Sequence, residues 1–202
     1  YLGYHRLSED IDFNWKNRSE FENLSGKQSR KYCSKKITEF ANLLEKISDE
    51  NGLDFKAEKN NKNYIQLGSS SKQSTFKVGY TPVVTGVRSS IKIQISFIEK
   101  TVFEVKKARL NPLISYIALS EEEKRYFQNI LNIYKSELDY YVFDIKEIYT
   151  EIIRAILTRK KLKSRDVVDI YFINKKYDLN LMNLSKECKH KINFAIKNYE
   201  KY

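Results

Sequence analysis

Two carboxylates near the start of the chain are spaced so that they could share one ion. In the stretch YHRLSEDIDFNW, Asp10 and Asp12 alternate with Ile11 and Phe13, the period of a half-buried strand. Residues i and i+2 of a strand project from the same face, so these acids repel each other unless a positive charge lies between them. Two carboxylates and phosphate oxygens are a usual ligand set for Mg²⁺. The motif also fits a solvated strand face whose acids meet lysine or arginine.

A second acidic pair lies far along the chain, in KSRDVVDIYFI. Arg165, Asp166 and Asp169 open a predicted helix, and the two acids stand at positions i and i+3 on neighbouring parts of its surface. The pair could serve chemistry. It could equally be structural, because acids in the first turn complement the helix dipole and Arg165 can pair with one of them.

The stretch RKKLKSR, from Arg159 to Arg165, is the densest cationic run in this region. Runs of this kind are commonly solvated faces or loops. Beside acids that hold a metal, however, they would also suit the capture of phosphate groups.

The first half of the chain predicts one helix followed by three strands. Apolar residues recur at helical spacing from Cys33 to Ile47, and EKNNKN then predicts a turn. The segments NYIQLG, STFKVGY and SSIKIQISF each have strand character. A helix followed by three strands predicts an α+β sheet with helices on one side.

After Pro112 the pattern becomes mainly helical. Ser120 and Glu123 form a capping-box pattern, and DYYVF predicts a short strand. Ser164 is the predicted N-cap of a helix that begins with RDVVDIYFI. The lysine-rich tail from about residue 180 is also predicted to be helical. Two apolar stripes are predicted to be buried, one formed by Tyr126, Phe127, Ile130, Leu131 and Tyr134, the other by Ile145, Ile148, Tyr149, Ile152, Ile153, Ile156 and Leu157.

These patterns place a domain boundary near Pro112, which divides a core of residues 1–112 from a mainly helical region of residues 113–202. The alternative, that both halves share one core, stays open. The chain begins with Tyr1 rather than Met, so we expect further sequence upstream.

Composition bounds the classes of partner. The 202 residues include 37 Lys and Arg against 26 Asp and Glu, a net charge of +11. A basic surface favours RNA, DNA or nucleotides, although an acidic protein would serve equally. The dispersed pairs Cys33 with Cys188 and His5 with His190 indicate neither a disulfide framework nor a zinc site. No stretch is long and apolar enough to span a membrane, and we predict a cytoplasmic protein.

Taken together, these motifs resemble a known family. The segments GYHRLSEDIDF, IKIQISF and EIYTEIIRAILTRKKLKSRDVVDIYFI occur in the order and at separations similar to those of the AbiEii/AbiGii-type nucleotidyltransferase toxins. The resemblance covers residue 1 to about residue 175. It implies the polymerase-β-like nucleotidyltransferase fold, a mixed sheet with flanking helices and a helical C-terminal region.

The resemblance also implies a function. Members are toxins of toxin–antitoxin or phage-defence systems, and related ones transfer a nucleotide from an NTP to the 3′ end of tRNA. For this chain we therefore expect Mg²⁺ (or Mn²⁺), an NTP substrate, RNA as acceptor and a cognate antitoxin. The implied metal ligands are Asp10, Asp12 and Gln94, the implied catalytic residues are Asp10, Asp12, Asp166 and Asp169, and the residues assigned to the nucleotide are Arg6, Ser8, Lys146 and Arg165.

Three departures from the family pattern favour an alternative function. The family's Gly-Gly-Ser/Thr element should lie just before Tyr1, its third carboxylate is replaced by Gln94, and a lysine that many members carry is replaced by Ile152. Glutamine keeps an oxygen ligand but loses the charge. Ile152 completes an apolar stripe, which indicates core packing. The alternative is a catalytically degenerate member that binds RNA or protein. An unrelated basic RNA-binding domain is disfavoured, because the strands carry no aromatic platform.

Overall fold

The computed structural model describes residues 10–17, 19–68, 72–97, 99–109, 117–135 and 139–199. These residues form two compact units, the first ending at Glu99 and the second beginning at Lys100. The boundary predicted near Pro112 lies outside the described residues, as do Arg6 and Ser8. In the described part of the chain, no helix is long and apolar enough to cross a lipid bilayer.

The first unit is built on a four-stranded mixed sheet. Its strands are β1 (Asp10–Asn14), β2 (Ile65–Gly68), β3 (Gln73–Tyr80) and β4 (Ser89–Ser96), arranged in the order β1-β4-β3-β2. Strands β1 and β4 are parallel, whereas β4–β3 and β3–β2 are antiparallel. The four strands predicted from the sequence are confirmed over the described residues, and so is the α+β class with a mixed sheet.

One long helix covers the apolar face of this sheet. After the short α1 (Ser19–Glu22), α2 runs from Gly26 to Glu50. Ser25 caps it, because its hydroxyl accepts from the Gln28 amide while the Gln28 side chain accepts from the Ser25 amide. The buried face of α2 consists of Ser29, Cys33, Ile37, Ala41, Leu44 and Ser48.

The predicted helix is therefore correct in place, but one predicted core residue is wrong. Ile47 is 42% exposed, whereas Ser48 is fully buried. The buried residues recur at intervals of three or four, and that period selects position 48 after Leu44. Phe40, half-buried, reaches the core through the ring of Phe76, with the two centroids 4.9 Å apart.

The second unit combines a two-stranded sheet with a group of helices. Strand β5 (Lys106–Arg109) pairs antiparallel with β6 (Asp139–Val142), which confirms the strand predicted at DYYVF. The helices are α3 (Glu121–Tyr126), α4 (Gln128–Lys135), α5 (Ile145–Thr158), α6 (Ser164–Tyr177) and α7 (Ser185–Tyr199), with a short 3₁₀ helix at Met182–Leu184 before α7. The predicted helical tail is confirmed over the described residues.

Three local predictions in this unit are wrong, and the first concerns the stripe that follows Ser120. The capping box of Ser120 and Glu123 is present, but Tyr126 is 83% exposed, and Phe127 and Ile130 are also exposed. Phe127 ends α3, so the apolar period is interrupted there. Of the described side chains in that stripe, only Leu131 is buried.

The second wrong prediction concerns the start of α6. Lys163 occupies the N-cap position, and Ser164 is already helical. The reason is a backbone bond from the Asp166 amide to the Lys163 carbonyl, at 2.9 Å, which starts the first turn one residue early.

A separate apolar cluster holds α5, α6 and α7 together. Its buried members are Tyr149, Ile153, Ile173, Leu184 and Cys188. Ile152 packs against this cluster, which confirms its predicted role in the core. Leu157, which the sequence predicted to be buried, is exposed, because it lies in the last turn of α5 beyond the buried positions.

Candidate active site on the sheet of the first unit

The register of β1 against β4 places the predicted metal ligands next to one another. Asp12 lies opposite Gln94, and Asp10 lies opposite Lys92. Neighbouring strands are about 4.8 Å apart, and residues i and i+2 are roughly 6.6 Å apart along a strand. The side chains of Asp10, Asp12 and Gln94 therefore project from one side of the sheet within reach of a common ion.

The opposite side of β1 explains the alternation in the sequence. Phe13 turns toward α2, where its ring lies edge-on to Phe40 at 6.4 Å between centroids. Ile93 and Ile95 on β4 are buried on the same side. The polar sheet face is the side that points away from α2. By strand register its side chains are those of Asp10, Asp12, Asn14, Gln66, Gln73, Thr75, Lys77, Ser90, Lys92, Gln94 and Ser96.

The donors on the polar sheet face suit a hard cation. Asp10 and Asp12 supply carboxylate oxygens, and Gln94 supplies an amide oxygen. Oxygen ligands of this kind fit Mg²⁺ or Mn²⁺ rather than zinc. Within the described ranges no group of three His, Cys, Asp or Glu residues is placed to hold a metal. The third position of this candidate site, Gln94, is neutral. The site therefore carries two negative charges, one fewer than three carboxylates would supply.

The second acidic pair belongs to α6, in the second unit. Asp166 and Asp169 are both buried, at 6% and 3% exposure. The Arg159 guanidinium donates to Asp166 Oδ2 at 2.6 Å, and Arg165 Nε lies 3.9 Å from Asp166 Oδ1. Asp166 therefore ties the end of α5 to the start of α6. The pairing of Arg165 with an acid, which the sequence left open, is present but long.

The remaining sequence-predicted cations are accessible. Lys160, Lys161 and Lys163 are exposed on the short connection between α5 and α6. Lys146 is exposed in the first turn of α5, where its amide donates to the capping carboxylate of Asp144 at 2.8 Å. Burial opposes ionisation of Asp144, but a hydrogen bond from Lys106 and the Lys146 amide outweigh it and lower the Asp144 pKa.

Sequence reasoning missed a buried charge network in the second unit. Lys191 of α7 lies 2.5 Å from Glu147 Oε1 and 2.8 Å from Glu151 Oε2, both on α5. Glu147 also accepts the amides of Val102 and Phe103, each at 2.8 Å. The signal in the sequence was the pair Glu147 and Glu151, four residues apart inside an otherwise apolar helix face.

The network stabilises the charged forms of both the Lys191 ammonium and the Glu151 carboxylate. Burial disfavours the charged form of Lys191, yet the charge of Glu151 and hydrogen bonds to Glu147 and Glu151 raise the Lys191 pKa. Burial likewise opposes ionisation of Glu151, but hydrogen bonding to Arg154 and the charge of Lys191 lower the Glu151 pKa. The network holds α5 against α7.

Comparison with known proteins identifies the family of this chain. The family model described as "Nucleotidyl transferase AbiEii toxin, Type IV TA system" matches residues 1–197. Searches of curated proteins and of solved structures gave no significant match. The family match spans nearly the whole chain, including both Asp10 and Asp12 and the acids of α6. The chain therefore belongs to the AbiEii family of nucleotidyl transferase toxins from type IV toxin–antitoxin systems.

Proposed function

We propose that this protein is a Mg²⁺-dependent toxin that transfers NMP from an NTP to RNA, at the 3′ end of tRNA. The observation that carries the proposal is the placement of Asp10, Asp12 and Gln94 on the polar sheet face of a member of a nucleotidyl transferase family. The family implies a cognate antitoxin as the cellular counterpart.

The reaction exchanges a phosphoanhydride bond of the α-phosphorus for a phosphodiester bond. An RNA hydroxyl oxygen bonds to the α-phosphorus, the bond to the β-phosphate oxygen breaks, and pyrophosphate leaves with its electron pair. A bound divalent ion supplies charge neutralisation and orientation of the phosphates. Asp10 and Asp12 would hold that ion, and the positioning of both substrates would supply much of the rate.

Gln94 limits how the hydroxyl is activated. Its amide offers an oxygen ligand but does not accept a proton at neutral pH. The proton of the attacking hydroxyl must therefore pass to a group other than Gln94. Arg165 and Lys146, both exposed, are our candidates for contacts to the triphosphate, together with Arg6 and Ser8. The family motif assigns Asp166 and Asp169 a catalytic role, and Arg159 holds Asp166 in place.

The direct test is incorporation of nucleotide into RNA. The protein is incubated with each α-labelled NTP in turn, Mg²⁺ and total RNA. We expect label from at least one NTP to appear in the tRNA fraction, and we expect excess chelator to abolish it because two carboxylates and an amide cannot bind the triphosphate without a cation. Absence of label with all four NTPs, under conditions where the protein is folded, would refute transfer.

Gln94 favours a second candidate function, the degenerate member that binds RNA or protein without transfer. Gln94→Glu distinguishes the two. If the site is catalytic, the added charge should lower the Mg²⁺ concentration for half-maximal transfer by roughly tenfold, since ligand charge sets affinity for hard cations. Gln66→Glu, on the same face but on β2, is the matched control and should leave that concentration unchanged. If neither the wild type nor Gln94→Glu transfers nucleotide, yet the protein binds RNA, the protein is a catalytically degenerate family member.

A further inference from the structure

Two lysines share one row of the polar sheet face with a predicted metal ligand. Lys92 on β4 lies opposite Asp10 on β1, and Lys77 on β3 lies opposite Lys92. Lys92 is exposed and Lys77 is half-buried. We call these two residues the lysine row. The neighbouring row, Asp12, Gln94 and Thr75, carries no positive charge.

The contact between the two lysines does not stabilise the sheet, although Lys92 also lies opposite Asp10. Like charges directly opposite on paired strands are destabilising. Within the described residues, neither Lys77 nor Lys92 forms an ion pair, whereas Lys35, Lys36 and Lys46 of α2 each lie near a glutamate. Two adjacent lysines with one facing carboxylate, that of Asp10, leave positive charge available for a further anionic group.

The position of the row indicates which anion that is. Lys77 lies two strands from Asp10, about 10 Å across the sheet. A triphosphate would lie close to the ion that Asp10 and Asp12 would hold, whereas a nucleic acid strand is a chain of phosphates that extends away from its reacting end. Polar groups beside the row, such as Gln94 and Thr75, offer hydrogen bonds of the kind that position a sugar–phosphate backbone.

We propose that Lys92 and Lys77 bind phosphodiester groups of the acceptor RNA and set its path from the metal ligands across β4 and β3. The proposal rests on the proposed function, because it uses the RNA as the second substrate. The lysine row would position the strand so that its 3′-hydroxyl ends beside Asp10 and Asp12.

The test measures RNA affinity as a function of salt, without NTP. Binding of a labelled single-stranded RNA of mixed sequence with a free 3′-hydroxyl is followed by fluorescence anisotropy. For the double variant Lys77→Ala/Lys92→Ala we expect roughly tenfold weaker binding at moderate salt, and a slope of log Kd against log salt that falls by about 1.4, since each lost contact to a single strand removes about 0.7. Lys77→Arg/Lys92→Arg should restore both values.

Lys62→Ala is the matched control, because Lys62 is an exposed lysine of the same unit in the turn before β2. It should change neither affinity nor slope. A general loss of positive charge would affect the two sets of variants alike, and that result would overturn the proposal. Circular dichroism of each variant establishes that the fold is retained.

Substrate kinetics separate this inference from the proposed function. We expect the double variant to raise KM for RNA and to leave KM for NTP unchanged. A raised KM for NTP with unchanged RNA binding would overturn the inference, because the lysines would then serve the triphosphate. Unchanged RNA binding, with transfer still dependent on Asp10, would sink the inference and leave the function intact. If the double variant binds RNA more weakly but even the wild type transfers no nucleotide, RNA binding by Lys77 and Lys92 is supported and the proposed transferase activity is refuted.

Discussion

Replacing Asp12 with asparagine should reduce nucleotide transfer at least about 100-fold, because the site loses half of its negative charge toward the metal. Asn keeps the size of Asp and one oxygen, and Asp12 is exposed. Strand pairing between β1 and β4 should therefore persist, and the melting temperature should stay close to that of the wild type. Asp10→Asn should have a similar effect on transfer. The measurement is the initial rate of label incorporation into RNA at saturating Mg²⁺.

Glu58→Gln is the matched control for these variants. Glu58 is an exposed acid of the same unit, in the turn that precedes β2, and it lies outside the polar sheet face. Its replacement removes the same charge and should leave the rate unchanged. Equal rates for wild type, Asp10→Asn and Asp12→Asn would show that these carboxylates do not hold the catalytic ion.

Replacing Lys191 with methionine should lower the free energy of unfolding of the second unit by about 3–5 kcal/mol, the usual consequence of removing one partner from a buried ion pair. Lys191 and Glu147 are only 6% and 3% exposed, so solvent cannot take over the role of the missing ammonium. Glu147 would then be buried without a cation, and Glu151 would keep only Arg154 as a partner. The loss is measured by urea unfolding followed by circular dichroism.

The pH dependence of that loss follows from the two pKa shifts. The pKa of Lys191 is raised, so its contribution is complete below the ordinary lysine pKa and disappears as the pH rises through the folded-state value. The pKa of Glu151 is lowered, so its contribution is present above the ordinary glutamate pKa and disappears as the pH falls through the folded-state value. The difference between wild type and Lys191→Met should therefore be largest near neutral pH.

Lys189→Ala tests whether the effect is specific, because Lys189 is an exposed lysine on the same helix. It should change the unfolding free energy by less than about 0.5 kcal/mol. A second check is the pair Glu147→Gln/Lys191→Met, which should lose less than Lys191→Met alone, since Gln still accepts the amides of Val102 and Phe103 without a buried charge. Equal stabilities of wild type and Lys191→Met would contradict the role assigned to the network.

Elements with a clear local period could be predicted well. The strands and α2 follow from periods of two and of about 3.6 residues, and the capping box at Ser120 follows from two residues three apart. The strand β5 was missed because KKAR has no apolar alternation, and only its pairing with β6 makes it a strand. The predicted burial of Ile47 and Tyr126 failed because periodicity defines a helix face only approximately, and the neighbouring elements select which positions are covered.

The candidate site likewise has features that follow from local sequence and features that depend on the pairing of distant strands. That Asp10 and Asp12 share a face is a local property of a strand, so the alternation in DIDF was sufficient to predict it. That Asp12 faces Gln94, and that Asp10 faces Lys92 and then Lys77, depends on strand register, which joins residues some eighty positions apart. The same holds for Lys191, whose partners on α5 are 40 or more residues away.

Local spacing thus predicted most of the elements and the acidic pair. Folding alone selected the neighbours of that pair and the partners of the buried charges. The physical reason is that backbone geometry repeats over a few residues, so the spacing of apolar and polar residues indicates it. Register and burial instead result from the packing of distant segments, and the distance between two segments along the chain does not indicate their distance in space.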